Sequence, residues 1–289
     1  MSEVMLLFPA DALRPRRPDD HFAAEAEAAR GAGIPVAVVD HDLLVSGQDP
    51  ARAVAAVRTS GIAVYRGWML PADRYADLAD ALAARNVRLW TTPEQYRRAH
   101  ELPGWYEALR SVTPESVWTT GAGRAAFDAA RRALGGGPAV LRDWTKSAKH
   151  HWHEAAFIPD LADGDAAWRV AARLLELRED DFTGGFVLRR FERFTGAEVR
   201  TWWIDGGCAL VGPHPDTPDV ALADQLDPGF LAPLIAPLDL PFATVDLARH
   251  ADGRWRVVEL GDGQVSDRPV AVDPSALVTA LARAFGRAS

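Results

Sequence analysis

The chain has 289 residues, 48% of them apolar, enough to fill one large globular domain or two compact ones. Its 32 Lys and Arg against 40 Asp and Glu give a net charge of −8, which argues against a general nucleic-acid binder or a protein held on anionic membranes, because both need an excess of cations over broad surfaces. Cys208 is the single cysteine, so no intramolecular disulfide forms, and no apolar stretch approaches the roughly 18 residues of a membrane span.

In chain order, β-rich runs first alternate with helical ones. Strands are expected at 4–8, 34–39, 62–66 and 87–90, and helices at 20–31, 51–59, 72–85 and 93–110. This is an α/β texture, and its expected product is a parallel sheet with crossover helices. Pro71 and Asp73 open the third helix with the proline and acid that helix starts prefer. Thr113-Pro114-Glu115-Ser116 breaks the pattern, and the main domain boundary is set near 112. A helix at 121–134 then stops at Gly135-Gly136-Gly137-Pro138. A strand at 138–142 and a helix at 164–179 follow. From 185 the chain reads mostly as strands, at 185–194, 198–204 and 207–211, then a hairpin, before a last helix at 274–286 capped by Asp273 or Ser275. Cys208, inside the apolar run 207–211, reads as a core residue. The start Met1-Ser2-Glu3-Val4 lacks the basic head and apolar core of a signal peptide, so a reducing cytoplasm is the expected location. The ten tryptophans are spread from Trp68 to Trp255 and suggest core and cleft lining; they form no stacking stripe for nucleic acid.

The hairpin carries the most informative pattern. Runs 243–249 and 254–260 flank Asp252-Gly253, a strong turn signal. A two-residue loop there pairs 251 with 254, 248 with 257 and Asp246 with Glu259. The two carboxylates then share one face with Cβ atoms roughly 4.5–5.5 Å apart, which is unfavourable unless something neutralises them. A divalent cation does so, and carboxylates together with substrate phosphates are the usual ligands of Mg²⁺. A solvated surface hairpin is the other reading, and a three-residue loop would separate the two faces.

Other candidates precede it. Arg142, Lys146 and Lys149 follow the apolar strand Pro138-Ala-Val-Leu141 and can grip phosphate oxygens, or form a solvated basic loop. Gly135-Gly136-Gly137 stands before that strand, whereas Walker and dinucleotide glycine loops stand after one, so neither fold is expected. His150, His151 and His153 adjoin the basic run but lack the further ligands of a zinc site; a contact to phosphate or substrate suits them better. Glu198 and Arg200, two apart on one strand, share a face and read as an ion pair or as a functional pair.

Taken in order, these pieces resemble the ATP-grasp superfamily, and the segments Arg142-Asp-Trp-Thr-Lys-Ser147 and Val258-Glu-Leu-Gly-Asp-Gly-Gln264 look most like its clade distinguished by conserved arginines and a lysine. The resemblance covers roughly 113–270, and the N-terminal part only by texture. It implies an α/β (α+β) protein: an N-terminal α/β pre-ATP-grasp domain at 1–112, then an ATP-grasp fold at 113–289. That fold is built of a basic-strand subdomain, 113–184, and a metal-binding subdomain, 185–289, with an ATP cleft between them. By the same resemblance Arg142 takes the place of the first phosphate-binding lysine and Lys146 adds a second cation. Leu188, Arg189, Arg190 and Phe191 match the adenine-recognising hinge strand. Glu198 belongs to the nucleotide site, Arg200 faces the γ-phosphate or an acyl phosphate, and Asp246 and Glu259 are metal ligands.

The chain departs from the family at Gly261, where an asparagine ligand is usual, so Asp262 or Gln264 is expected to compensate, with the glycines on both sides of Asp262 permitting the bend. The implied cofactors are ATP and Mg²⁺. The implied reaction is ATP-dependent ligation of a small-molecule or peptide carboxylate to an amine through an acyl phosphate, with release of ADP and phosphate. A nucleotide-binding module or sensor without turnover, and a phosphotransferase, are the alternatives. Arg66-Gly67-Trp68, Arg88 and His100 are candidates for selecting the acceptor, with a structural role as the first reading of each.

Overall fold

The computed structural model describes residues 4–220 and 226–287. Its N-terminal elements are strand β1 Val4–Pro9, helix α1 Ala23–Gly31, β2 Val36–Val39, α2 His41–Ser46, α3 Pro50–Ala53, β3 Gly61–Tyr65, α4 Ala72–Ala83, β4 Val87–Leu89 and α5 Pro93–His100. The four strands form a parallel sheet in the order β2-β1-β3-β4. Met5, Leu6, Leu7 and Phe8 of β1 are all fully buried, and burial on both faces explains why this strand is continuously apolar instead of alternating. Met5, Leu7, Ala63 and Tyr65 pack with Leu78 and Leu82 on one side. Leu6, Phe8 and Val64 pack with Ala26, Ala29, Trp202, Phe242 and Leu281 on the other.

Two expectations fail here for local reasons. The helix expected at 51–59 is only four residues long, and α2 precedes it unannounced, capped by the Asp40 carboxylate on the Leu43 N–H at 3.1 Å and closed by Gly47 at φ +65°. The helix expected at 93–110 is two, α5 and α6 Leu102–Leu109. Pro103 sits in the first turn of α6, where its missing N–H costs nothing, but it cannot continue a helix from before.

The chain divides into two compact units, Met1–Ala99 with Ala197–Asp246 and Glu259–Ser289, and His100–Gly196 with Leu247–Val258. It leaves the first unit and re-enters it, so the partition differs from a single cut near 112. In the second unit follow β5 Ser116–Trp118, α7 Arg124–Leu134, β6 Ala139–Asp143, β7 Phe157–Ile158, α8 Gly164–Arg178 and β8 Phe186–Arg190, with the sheet order β5-β8-β6-β7 and every pairing antiparallel. Phe127, Leu141, Leu174, Phe186 and Leu188 make its core. A further sheet has the order β10-β9-β11-β12, with β9 Phe194–Ile204, β10 Gly207–Pro213, the short helix α9 Ala232–Ile235, β11 Phe242–His250 and β12 Trp255–Asp262. Helix α10 Pro274–Arg287 follows. No helix among the described residues is long and apolar enough to cross a membrane.

The first unit has a charged interior. Arg66, 1% exposed, donates from Nε and Nη2 to both oxygens of Glu25 at 2.8 and 2.9 Å, and from Nη1 to the carbonyls of Gly263, Gln264 and Ser266 at 2.6, 2.9 and 3.0 Å. Arg268 adds a contact to Glu25 at 3.2 Å. Arg66 thus fastens the segment after β12 to the end of β3, a structural duty rather than the acceptor selection considered from sequence. Replacing it with leucine leaves a buried carboxylate short of its fork and three carbonyls short of a donor. Arg66→Leu is expected to cost about 3–5 kcal/mol in urea unfolding, whereas Arg88→Leu, at an exposed position, changes stability by about 0.5 kcal/mol or less.

Candidate functional site

In the first unit β9 and β10 are joined at Asp205-Gly206, both with positive φ (+47° and +75°), the turn chemistry of a two-residue hairpin with Ile204 opposite Gly207. Without irregularity this register sets Pro213 opposite Glu198. A bulge between Cys208 and Leu210 slips it by one, Gly212 faces Arg200, and the His214 N–H donates to the Glu198 carbonyl at 3.1 Å. His214 thereby joins a site from which sequence reading omitted it. The Asp-Gly turn was a readable signal; the bulge was not.

Arg200 donates from Nε and Nη2 to Oδ1 and Oδ2 of Asp246, each at 2.8 Å, and from Nη1 to the Asp267 carbonyl at 3.1 Å. The two side chains are 11% and 5% exposed. Burial pushes the Asp246 carboxyl up, but the Arg200 charge and its two hydrogen bonds, with His214 beside them, outweigh it and hold the group well below the usual carboxylate range. Burial likewise opposes the Arg200 charge, and Asp246, Glu259 and Asp267 overcome it. His214 Nε2 lies 3.2 Å from Arg200 Nη2, 3.4 Å from Asp246 Oδ2 and 3.9 Å from Glu198 Oε2. Its Nδ1 accepts from the Asp216 N–H at 3.1 Å. Ligand atoms of Glu198, His214 and Asp246 all lie within 4.8 Å of one another.

Glu259 reaches this neighbourhood by an unexpected route. The turn is not the two-residue loop read from Asp252-Gly253: His250 N–H donates to Arg254 O and Gly253 N–H to His250 O, each at 2.8 Å, and Gly253 sits at φ +90°. Residues 251–253 form the loop, and alone this separates the two carboxylates. At the other end, however, Gly263 N–H donates to Phe242 O at 3.0 Å. Positions 254 to 263 therefore match 250 to 242, one residue more on β12 than on β11, which is a bulge. Its local mark is at Val257 and Val258, whose successive carbonyls accept from Thr113 Oγ1 at 2.8 Å and Arg189 Nη1 at 2.7 Å, where a regular strand alternates sides. Counted from Phe242 and Gly263, 246 again stands opposite 259.

Asp262 and Gln264 do not join this group, contrary to the expectation that one of them replaces the missing ligand. Strand β12 runs straight through Asp262, so alternation turns it away from Glu259 and Gly261. It is fully buried; Oδ1 accepts from the Gln264 N–H at 2.7 Å, and Gln264 Nε2 donates to the Tyr75 hydroxyl at 2.8 Å. What faces Gly261 instead is a hydroxyl pair: a Cβ at 261 would lie 3.4 Å from Thr244 Oγ1 and 3.6 Å from Ser266 Oγ.

In the second unit, Asp143 organises the basic loop. Its Oδ1 accepts from the N–H groups of Thr145 and Lys146 at 2.7 and 2.6 Å, and its Oδ2 from Arg178 Nε at 2.9 Å. Arg142, 6% exposed, donates to the carbonyls of Asp143 and Thr145 at 3.3 and 2.6 Å, while Lys146 and Lys149 are exposed. His150, His151 and His153, all exposed, fall in a 3₁₀ turn and a π-helix, Lys149–His151 and Trp152–Ala156, and join no potential metal group among the described residues. Leu188, Arg189 and Arg190 lie on β8, which pairs on both sides, so their backbone groups are committed to the sheet. Arg189 holds Val258 O and Thr113 Oγ1, and Arg190 holds the carbonyls of Gly136 and Leu134. Phe191, 37% exposed, opens the irregular link to β9, where Glu192 is forked by Arg256 at 2.6 and 2.8 Å.

Burial, opposed by the Gln264 hydrogen bonds, pushes the Asp262 carboxyl up to about 7. A raised carboxyl pKa means the native state holds the proton longer, so this group's contribution to stability is fully present below pH ~4 and is lost as the pH rises to about 7. Thermal midpoints measured from pH 4 to 8 are expected to show this decline in the native protein and to lose most of it in Asp262→Asn.

A family model for an ATP-grasp domain, family 3 of the clade named for its conserved arginines and lysine, matches residues 133–281, just over half of the chain. The crystal structure of a RimK domain protein ATP-grasp from Sphaerobacter thermophilus DSM 20745 is similar at TM-score 0.62 and 21% identity, over 95% of this chain and 97% of that one. The D-cycloserine synthetase DcsG is similar at 0.61 and 20%, over 96% and 99%. The ATP-grasp ligase PsnB, complexed with minimal precursor, Mg and ADP, is similar at 0.59 and 16%, over 98% of each chain. No curated protein sequence matches. The chain belongs to the ATP-grasp superfamily, in family 3 of the arginine-and-lysine clade, and shares the fold of those three proteins.

Proposed function

We propose that the protein joins a small-molecule or peptide carboxylate to an amine, using Mg²⁺ and ATP and passing through an acyl phosphate with release of ADP and phosphate. The observation that carries this reading is the Arg200–Asp246 fork with Glu198, His214 and Glu259 around it, in a chain of the ATP-grasp family. The donor set suits the cation: Glu198, Asp246 and Glu259 offer carboxylate oxygens, the ligands a hard divalent ion prefers. Bound there, Mg²⁺ would neutralise phosphoryl oxygens and polarise the transferred phosphorus. Asp246 and Glu259 would hold it, and Arg200, freed from part of its fork, would turn its guanidinium to the γ-phosphate and the acyl phosphate. Arg142 shapes the basic loop and Lys146 presents its ammonium from that loop as the phosphate contact. Phe191 and the link after it take the adenine side.

A nucleotide-binding module without turnover is the second reading, favoured by Gly261, which supplies no ligand, and by the burial of Asp262 on the face away from Glu259. Product analysis separates the two. The ligase is expected to yield ADP and phosphate and, with hydroxylamine as nucleophile, a hydroxamate of its acceptor carboxylate. AMP and pyrophosphate contradict the acyl phosphate, and ATP binding without turnover across broad acceptor mixtures supports the module. Glu259→Ala is expected to lower ATP turnover by about 100-fold or more with circular dichroism and thermal midpoint kept; retained turnover would make Glu259 a surface residue only.

A further inference from the structure

In an open parallel sheet, ligands bind outside the carboxyl ends of the strands where the strand order reverses. The order β2-β1-β3-β4 reverses between β1 and β3, and the segments leaving those two ends meet. Trp68, three residues past β3, is 40% exposed. Its ring lies 4.4 Å from that of His21 and 4.9 Å from that of Phe22, both on the segment that follows β1. An exposed tryptophan is ordinary when its surroundings are loose, but this one is fixed from below. The Tyr65 hydroxyl donates to the Trp68 carbonyl at 3.0 Å and has His41 Nδ1 at 3.1 Å, and burial pushes the phenol up, so it stays a donor. The bend that brings the Trp68 carbonyl to its own neighbour passes Gly67, where a Cβ would fall 2.4 Å from the Tyr65 ring.

The platform is joined to the phosphoryl side by one residue. Asp267 Oδ1 lies 2.8 Å from His21 Nε2, and its carbonyl accepts from Arg200 Nη1 at 3.1 Å. A part-exposed indole and a half-exposed carboxylate, both against His21, suit an ammonium group carrying an apolar or aromatic body.

We infer that Trp68, His21 and Asp267 form the subsite for the amine co-substrate, which binds as its ammonium form against the indole and the Asp267 carboxylate. The inference rests on the ligase reading above and specifies its second substrate. It also gives Asp267 a positioning duty: a residue that fixes Arg200 through its backbone receives the amine through its side chain. A carboxylate ligand is excluded by the same charge that attracts the amine.

The test uses protein with ¹⁵N-labelled tryptophan, the Trp68 indole signal being assigned by its loss in Trp68→Phe, and three probes of one shape, benzylamine, benzyl alcohol and phenylacetate. Benzylamine is expected to shift the Trp68 signal saturably and to bind at least about tenfold more tightly than either other probe, and Asp267→Asn to erase about that tenfold preference. Trp68→Leu, read by ligand-observed saturation transfer, is expected to lose the binding. Equal binding of phenylacetate or benzyl alcohol, or an Asp267→Asn variant that keeps the preference, overturns the inference. The same sample is titrated with ADP and Mg²⁺. Nucleotide binding without benzylamine binding rejects the subsite alone; benzylamine binding without nucleotide binding rejects the ligase reading and, with it, the assignment of the probe's site to a co-substrate.

Discussion

A guanidinium and a carboxylate removed from water are costly apart and tolerable only as a well-made pair. Arg200 and Asp246 meet that condition with two parallel bonds of 2.8 Å, and much of the first unit's charged chemistry is arranged around them. Arg200 and His214 both lower the Asp246 carboxyl, and the charge of Arg200 is itself supported by Asp246, Glu259 and Asp267. The acids around this one arginine keep it charged and oriented.

Backbone devices, more than the composition of the strands, deliver the acids to that arginine. One bulge in β10 turns His214 instead of Pro213 toward Glu198, and an extra residue in β12 restores Glu259 to the side of Asp246 after the turn has displaced it. Each device costs a ladder hydrogen bond or two and is offset by contacts outside the ladder, such as those of Thr113 and Arg189 with the carbonyls of Val257 and Val258. The buried Arg66–Glu25 pair performs a similar service at the end of β12, where the backbone carbonyls of 263, 264 and 266 are held by one guanidinium.

Much of this was legible in the sequence wherever a side chain's own period decided the outcome. The parallel sheet follows from unbroken apolar runs such as Met5–Phe8, and Glu198 and Arg200 share a face by simple alternation. The reading failed where backbone irregularity intervened. The loop at 251–253 and its compensating bulge cancel, so the juxtaposition of Asp246 with Glu259 was inferred from a register the turn does not have. Asp262 was expected to bend inward on the strength of its flanking glycines, but the strand's own hydrogen bonding kept it straight and buried it. Nothing in Leu188–Arg190 announces that β8 has neighbours on both sides, which commits the backbone of these three residues to the sheet and leaves Phe191 outside it. His214 could not be found without the bulge that places it.

In the proposed function Asp246 and Glu259, and not Asp262, would hold the divalent cation beside the nucleotide. Calorimetric titration of Mg²⁺ in the presence of ADP tests it directly and needs no knowledge of the acceptor. Asp246→Asn and Glu259→Gln are each expected to weaken cation binding by at least about tenfold, the loss of one charged ligand, while Asp262→Asn leaves it within about twofold. Cation binding lost in Asp262→Asn and kept in Asp246→Asn would contradict it.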